Sequence, residues 1–251
     1  MGLSTAYVTA GVYGGKREPV INTVKADLFD FSIVQISDLH IGGLIDRSFV
    51  QKSVQKINSL KADIVVITGD LIDTDIDSIR EAILELNHIH ATHGIYMILG
   101  NHEYFHKPLE IIDFIRKETP FTLLLNQAVV LDDLKVNIAG LTDLFGYRVK
   151  LLEPNNAKAF RDINKQYPTI LLTHQPKSIE YLDSYKPDLI LSGHTHGGQI
   201  WPFNYLVSLQ QPFVKGLHTL PYGGKIYVNS GIGFWGPPMR LGSQAEIAYI
   251  I

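Results

Sequence analysis

Five short clusters of carboxylate, imidazole and amide side chains punctuate the chain: Asp38 with His40, Asp70 after Gly69, Asn101 with His102 and Glu103 after Gly100, His174, and His194 with His196 after Gly193. Carboxylate, imidazole and amide oxygen together suit Mn²⁺, Zn²⁺ or iron, and suit copper(I) or iron–sulfur clusters poorly. Cysteine is absent, which excludes disulfides, thiolate metal sites and a cysteine nucleophile. Any metal here sits on nitrogen and oxygen. Asp38 and His40 are two residues apart, as are His194 and His196, so in extended backbone each pair points to one side of its strand. The glycines beside them permit sharp turns and close backbone approach. A lone histidine is more often a satisfied polar residue than a ligand; the weight lies in the five clusters together.

The elements that must position these residues are legible as apolar runs at 31–37, 63–68, 94–99, 169–173 and 188–192, each ending in one of the clusters. They read as buried, mostly parallel strands. In open α/β sheets ligands bind at strand carboxyl ends, so the five clusters are expected to converge on one crevice. Asp46 is placed to cap a helix whose apolar positions Val50, Val54, Ile57 and Leu60 follow the helical period. Further helices are expected at 75–86 and 108–117, the second opening on Pro108. Alternation of this kind implies an α/β layered fold. Later segments at 123–130, 135–141, 225–228 and 246–251 are strand-like with less helix between them, which points to a second sheet with some antiparallel pairing. The stretch 197–239 is rich in Gly, Pro and aromatics, among them Trp201, Phe203, Tyr205 and Trp235. Such a loop either covers a site or packs on itself.

With 251 residues and 45% hydrophobic content the chain can bury a full core as one large domain. A net charge of −3 with 19% charged residues gives no broad basic face, so an extended nucleic-acid partner is not expected. No stretch approaches the roughly 20 apolar residues of a membrane-spanning helix. Residues 1–15 are nevertheless uncharged and end at Lys16 and Arg17. Two readings stand: a trimmed membrane-anchor stub whose basic residues mark the cytoplasmic side, or a loosely attached arm. The organisation expected is an N-terminal arm at 1–30 and a catalytic domain at 31–251.

The motifs D-x-H at Asp38, G-D-x-x-D at Asp70, G-N-H-E at Asn101, the isolated His174 and G-H-x-H at His194 resemble, in order, the signature of the calcineurin-like metallophosphoesterases. The resemblance covers about residues 31–251. It implies an α-β-β-α sandwich of two mixed sheets flanked by helices, and two divalent metal ions, Mn²⁺ favoured over Zn²⁺ or iron. Asp38, His40 and His196 would hold one metal, Asn101, His174 and His194 the other, and Asp70 would bridge both. A metal-bridging hydroxide would attack phosphorus in line. His102 would stabilise the phosphoryl group and protonate the leaving oxygen, while Asp73 and Glu103 would orient ligands.

Leucine at position 99, where protein phosphatases of the family carry arginine, weakens a protein substrate. The runs around His174, around His194 and at 229–233 look like the bacterial membrane-associated branch, in which some relatives cleave UDP-2,3-diacylglucosamine. The resemblance therefore implies a phosphodiesterase or pyrophosphohydrolase for nucleotide- or lipid-linked substrates at the cytoplasmic membrane. Alternatives are a phosphomonoesterase and a non-catalytic metal-binding scaffold of the same fold. Outside the motifs, Arg148, His218 and Arg240 are candidate phosphate contacts. His88, His90 and His93 fit a helix end structurally.

Overall fold

A computed structural model describes residues 2–251; Met1, part of the N-terminal arm, lies outside the described residues. In chain order the elements are α1 (Gly2–Gly15), β1 (Val20–Val24), β2 (Ile33–Ile36), α2 (Arg47–Ser59), β3 (Ile64–Thr68), α3 (Ile76–Leu84), β4 (Ile95–Ile98), α4 (Pro108–Glu118), β5 (Thr122–Leu123) and β6 (Gln127–Leu131). There follow β7 (Val136–Gly140), α5 (Phe145–Val149), α6 (Asn156–Ala159), β8 (Thr169–Leu172), β9 (Leu189–Ser192), α7 (Asn204–Gln210), β10 (Gly216–Thr219), β11 (Lys225–Val228) and β12 (Glu246–Ile250).

The strands form two six-stranded sheets, ordered β1-β12-β2-β3-β4-β5 and β10-β11-β9-β8-β7-β6. β2 to β5 are parallel, as are β7, β8, β9 and β11, with antiparallel pairs at β12/β2, β6/β7 and β10/β11. The mixed sheets expected from the motif resemblance are thus present. Side-chain alternation sorts each strand between two cores. Ile33, Ile64, Val66 and Ile98 of the first sheet meet Ile138, Ile170, Leu172 and Leu191 of the second. On the outer face Val34, Ile36, Val65 and Ile67 pack under Val54, Ile57, Ile83 and Ile111 of the helices. The outer face of the second sheet is covered by Ala159, Phe160 and Leu182. Between the sheets Gln35 donates to Ser192 O and Thr68 Oγ1, both at 2.9 Å, which ties the ends of β2, β3 and β9 together.

Local signals explain the helices. Asp46 caps α2 by accepting from Phe49 N at 2.9 Å, and Pro108 opens α4. The expected helix at 75–86 is shorter: α3 tightens into a 3-10 turn at Glu85–His88, where His88 Nδ1 approaches Glu85 O at 3.1 Å. The expected strand at 123–130 is two strands in different sheets. The chain crosses at Asn126, which takes a left-handed φ of 55° and whose Oδ1 accepts from Thr142 N and Asn155 N. The N-terminal stretch also carries regular structure: β1 is an edge strand parallel to β12. Among the described residues no helix is long and apolar enough to cross a membrane.

Candidate metal centre

The carboxyl ends of β2, β3, β4, β8 and β9 meet at one edge of the sandwich, and the loops leaving them carry all five clusters. The backbone there is unusual. Asp38, His40, Asp70, His194 and His196 all have φ between 49° and 70°, a region that non-glycine residues rarely enter. Each such residue costs about 1–3 kcal/mol, which is tolerated where the surroundings fix it and a site requires it. Hydrogen bonds supply the fixing: Asp38 N donates to Gly69 O and His40 N to Asp70 O, both at 3.0 Å. Two glycines are demanded by close approach. A Cβ on Gly100 would lie against Asp70 Oδ1, and one on Gly193 against Asp38 Oδ2.

The side chains fall into two groups. In the first, His40 Nε2 lies 3.1 Å from His196 Nε2, and His196 Nε2 lies 3.4 Å from Asp38 Oδ1. In the second, His174 Nε2 lies 3.1 Å from both Asp70 Oδ2 and Asn101 Oδ1, with the His194 ring 5.1 Å from that of His174. Asp70 Oδ2 is also 3.8 Å from His40 Nε2, so one carboxylate stands between the two groups. Asp38, His40 and His196 have donor atoms within 4.8 Å of one another, and so do Asp70, His174 and His194. Asp38, His40, Asp70, His174 and His196 are buried. Nitrogen and oxygen donors, most of them buried and gathered within reach of one another in two groups, fit two divalent cations.

The electrostatics agree. Burial tends to raise the Asp70 carboxyl, but His174, His40 and His102 outweigh it and hold the group far below the carboxylate range. Burial, with the neighbouring His174, lowers His194 to about 3, and burial with His40 and Arg240 lowers His196 well below its usual value. These two imidazoles are neutral, as ligands must be. Burial lowers His174 too, but the charge and hydrogen bond of Asp70 reverse that and push it well up.

Around the donors stand three carboxylates. Glu103 is fully buried and accepts from Asp70 N, Leu71 N, Ile72 N and Gly100 N at 2.6–3.1 Å, stapling the β3 and β4 loops together. Asp73 Oδ1 lies 2.6 Å from His102 Nδ1. Burial opposes ionisation of Asp73, yet His102 and His40 hold it well below the usual range. Burial lowers His102, but Asp73 and Asp70 more than compensate, and its pKa is raised. Asp143 was not among the sequence candidates. It follows β7 and accepts from Gln175 Nε2 at 2.9 Å, beside His174. The signal was Leu141-Thr142-Asp143, one more polar pair after a strand.

The remaining candidates separate. Arg148 is exposed, 5.6 Å above the Phe145 ring, and that ring leads through Phe105 to His102 by edge contacts of 4.9 and 5.4 Å. His218 lies on β10, stacked on Phe213 at 4.4 Å, and donates to Lys215 O. Both contacts turn it away from the cluster. Arg240 corrects an expectation: it is 2% exposed, and its guanidinium is spent on main-chain carbonyls behind His196, so it does not face a substrate.

A family model described as calcineurin-like phosphoesterase matches residues 31–198. Over 99% of its length the chain is 42% identical to an uncharacterized metallophosphoesterase of Campylobacter jejuni, covering 67% of that protein. It is 39% identical to a Helicobacter pylori counterpart over 97% of its length, covering 66% of that one. A UDP-2,3-diacylglucosamine pyrophosphatase of Chlamydia trachomatis is 32% identical over 88% of this chain and 83% of its own. The chain thus spans about two thirds of the length of the first two relatives. Among solved structures a dimetal phosphatase from Danio rerio shares the fold, with a TM-score of 0.51 at 13% identity over 84% of this chain and 90% of that one.

A protonated His174 competes with a cation for the same nitrogen, so metal binding must release a proton there. Because that pKa is raised, the competition is strongest in acid and relaxes as pH rises. Calorimetric Mn²⁺ titration in buffers of different ionisation enthalpy is expected to show net proton release and affinity that goes on climbing as pH rises above the ordinary imidazole value of about 6.5. Affinity independent of pH would contradict this protonation scheme.

Proposed function

The chain belongs to the calcineurin-like phosphoesterase family, and on that premise we propose that it is a dinuclear metal-dependent phosphohydrolase that cleaves phosphodiesters or pyrophosphates. The observation that carries this is the placement of Asp70 between two groups of nitrogen and oxygen donors, most of them buried. Asp38, His40 and His196 would hold one cation and Asn101, His174 and His194 the other, with Asp70 shared. Mn²⁺ suits this donor set, as do Zn²⁺ and iron. When bound, such a pair polarises the phosphoryl oxygens and acidifies water for in-line displacement.

The chain's own residues supply the rest. His102 is half-buried at the mouth of the cluster, and its backbone N–H donates to Asp70 Oδ1 at 2.8 Å, which fixes the residue relative to the shared carboxylate. Asp73 holds Nδ1, so Nε2 is the nitrogen left to act on substrate. Its raised pKa keeps a proton available at Nε2 for the departing oxygen. Asp73 thus acts through His102, keeping tautomer and orientation.

Two features favour a substrate with an apolar part. A cavity of about 370 Å³ beside Thr195 and Gln199 is lined by Ile200, Phe203, Leu206, Val207, Trp235 and Pro237, with no charged residue. Above it α7 has no buried residue, and Tyr205, Leu206 and Leu209 are exposed along with Trp201 and Trp235. An uncharged cavity next to a phosphoryl site suits an acyl chain linked to the phosphate. The Chlamydia relative named for a diacylated nucleotide sugar supports a lipid- or nucleotide-linked pyrophosphate. The same aromatic surface supports residence at a membrane, with Lys16 and Arg17 the basis for placing the 31–251 catalytic unit on the cytoplasmic side.

Chelator-stripped protein is expected to be inactive. With Mn²⁺ restored it should cleave bis-p-nitrophenyl phosphate faster than p-nitrophenyl phosphate, and lose activity in acid. Leu206→Gln should raise KM for a UDP-linked diacyl sugar and leave the nitrophenyl diester unaffected. A clear preference for the monoester would reject the diesterase reading, and an unchanged KM the lipid reading. No turnover of any of these by protein with two bound metals would favour a binding scaffold.

Asp73→Asn tests the acid. It should lower kcat by roughly 10²–10⁴-fold, the usual contribution of a positioned proton donor, with metal content unchanged. Aryl leaving groups that need no proton should feel the substitution less than alkyl ones. Equal losses for both would remove His102 from the role of acid.

A further inference from the structure

Arg240 is a buried cation that bonds to none of the carboxylates and yet sits directly behind two of the donors, Asp38 and His196. Nε and Nη2 donate to Gly233 O, Nη2 also to Ser230 O and Gly231 O, and Nη1 to His196 O at 3.3 Å and Ser243 Oγ at 3.2 Å. Ser243 Oγ in turn donates to His196 O at 2.7 Å. His196 Nδ1 is 3.4 Å from Nη2, on the ring edge away from His40. The carbonyls that Arg240 gathers belong to the segment running alongside the Asp38 loop: Ile232 N donates to Ser37 O and Gly233 N to Asp38 O, both at 2.9 Å. Gly231 packs so closely that a Cβ there would meet both Asp38 and His196. One guanidinium therefore clamps the backbone of His196 and the strap that holds Asp38.

What holds Arg240 is α1. Arg240 N donates to Gly11 O at 2.9 Å. The helix presents a glycine face to the strand of chain it lies on: a Cβ on Gly14 would collide with Arg240 O, and one on Gly15 with Pro238 O. On Gly11 it would meet only the flexible end of Met239. Tyr7 Oη donates to Trp201 O, which pins the outer half of the helix to the same loop. Gly2 faces open space.

We propose that Arg240 is a positioning residue for the Asp38, His40 and His196 half of the metal centre, and that α1, docked through Gly11, Gly14 and Gly15, sets its position. This rests on reading that half as a metal site. In the second half His174 and Asn101 are joined to neither Arg240 nor α1 by any of these bonds, and the link between the halves runs through His194 N, which donates to Asp38 at 3.0 Å, so the larger effect falls on one cation. The N-terminal helix is then part of the catalytic unit, whatever else it contacts.

The test is a Co²⁺ titration of chelator-stripped protein, read by absorption spectroscopy and by elemental analysis of metal per chain. Wild type and the Gly2→Ala control should take up two ions. Arg240→Met and Gly14→Val should keep one tight ion and bind the other roughly 10–100-fold more weakly, the usual loss when a group behind a metal ligand is removed. Arg240→Lys, which restores charge and some of the carbonyl contacts, should recover part of it. Gly14→Ala keeps the arginine in the chain but sets a Cβ against Arg240 O; it should weaken the same ion and carries the test should Arg240→Met not fold. A purely structural role would lower the unfolding temperature without separating the two affinities. Two ions bound as in wild type, or both weakened alike, would overturn the proposal, whereas fewer than two ions in wild type would instead overturn the dinuclear reading beneath it.

Discussion

The buried carboxylate of Asp70 is the constraint on which the rest of the site depends. It lies 3.1 Å from His174 on one side and 3.8 Å from His40 on the other, and its second oxygen accepts from His102 N. An ionised group so placed would be costly alone, since burial penalises its charge heavily. The surrounding imidazoles reverse that penalty and keep it ionised. Its own backbone is fixed from below by Glu103, which collects four main-chain N–H groups from the β3 and β4 loops. The charge is thus both created and located by the fold.

The left-handed residues follow from the same constraint. Parallel strands deliver side chains alternately up and down, whereas the site needs several donors from each loop aimed at the same point. Turning Asp38, His40, Asp70, His194 and His196 into positive φ redirects them at once, and the cost is distributed over loops held by hydrogen bonds to each other. Glycine at positions 100 and 193 then lets carboxylates approach the backbone of the next loop. Sandwich and site are therefore one design: the Gln35 bridge to Ser192 brings the ends of β2 and β9 together, and the Asp38 and His196 groups meet where those strands stop.

Much of this was legible in the sequence because it is local. Apolar runs ending in polar clusters announce strand ends, and Asp46 and Pro108 announce helix starts. The crossing at Asn126 was not legible, since a run of β-formers reads as one strand until the tertiary partners of Asn126 are known. By sequence Arg240 is a candidate phosphate contact against a default of solvated surface, and it is neither solvated nor free; its partners are carbonyls, which leave no trace in composition. Residues 1–15 read as a membrane-anchor stub or a loosely attached arm, and the docking of α1 was not legible because its glycines count only against helix when seen in isolation. They are there for contact with 238–240, a long-range reason. Asp143 escaped because a single acid after a strand is common, and only its bond to Gln175 next to His174 makes it part of the site.

Whether one carboxylate joins two cations is the claim on which everything else stands, and electron paramagnetic resonance of Mn²⁺-loaded protein tests it most directly. Wild type should give the spectrum of an exchange-coupled ion pair, and Asp70→Ala only isolated ions or a single one. Isolated ions in the wild type, or a coupled pair that survives loss of Asp70, would contradict the account.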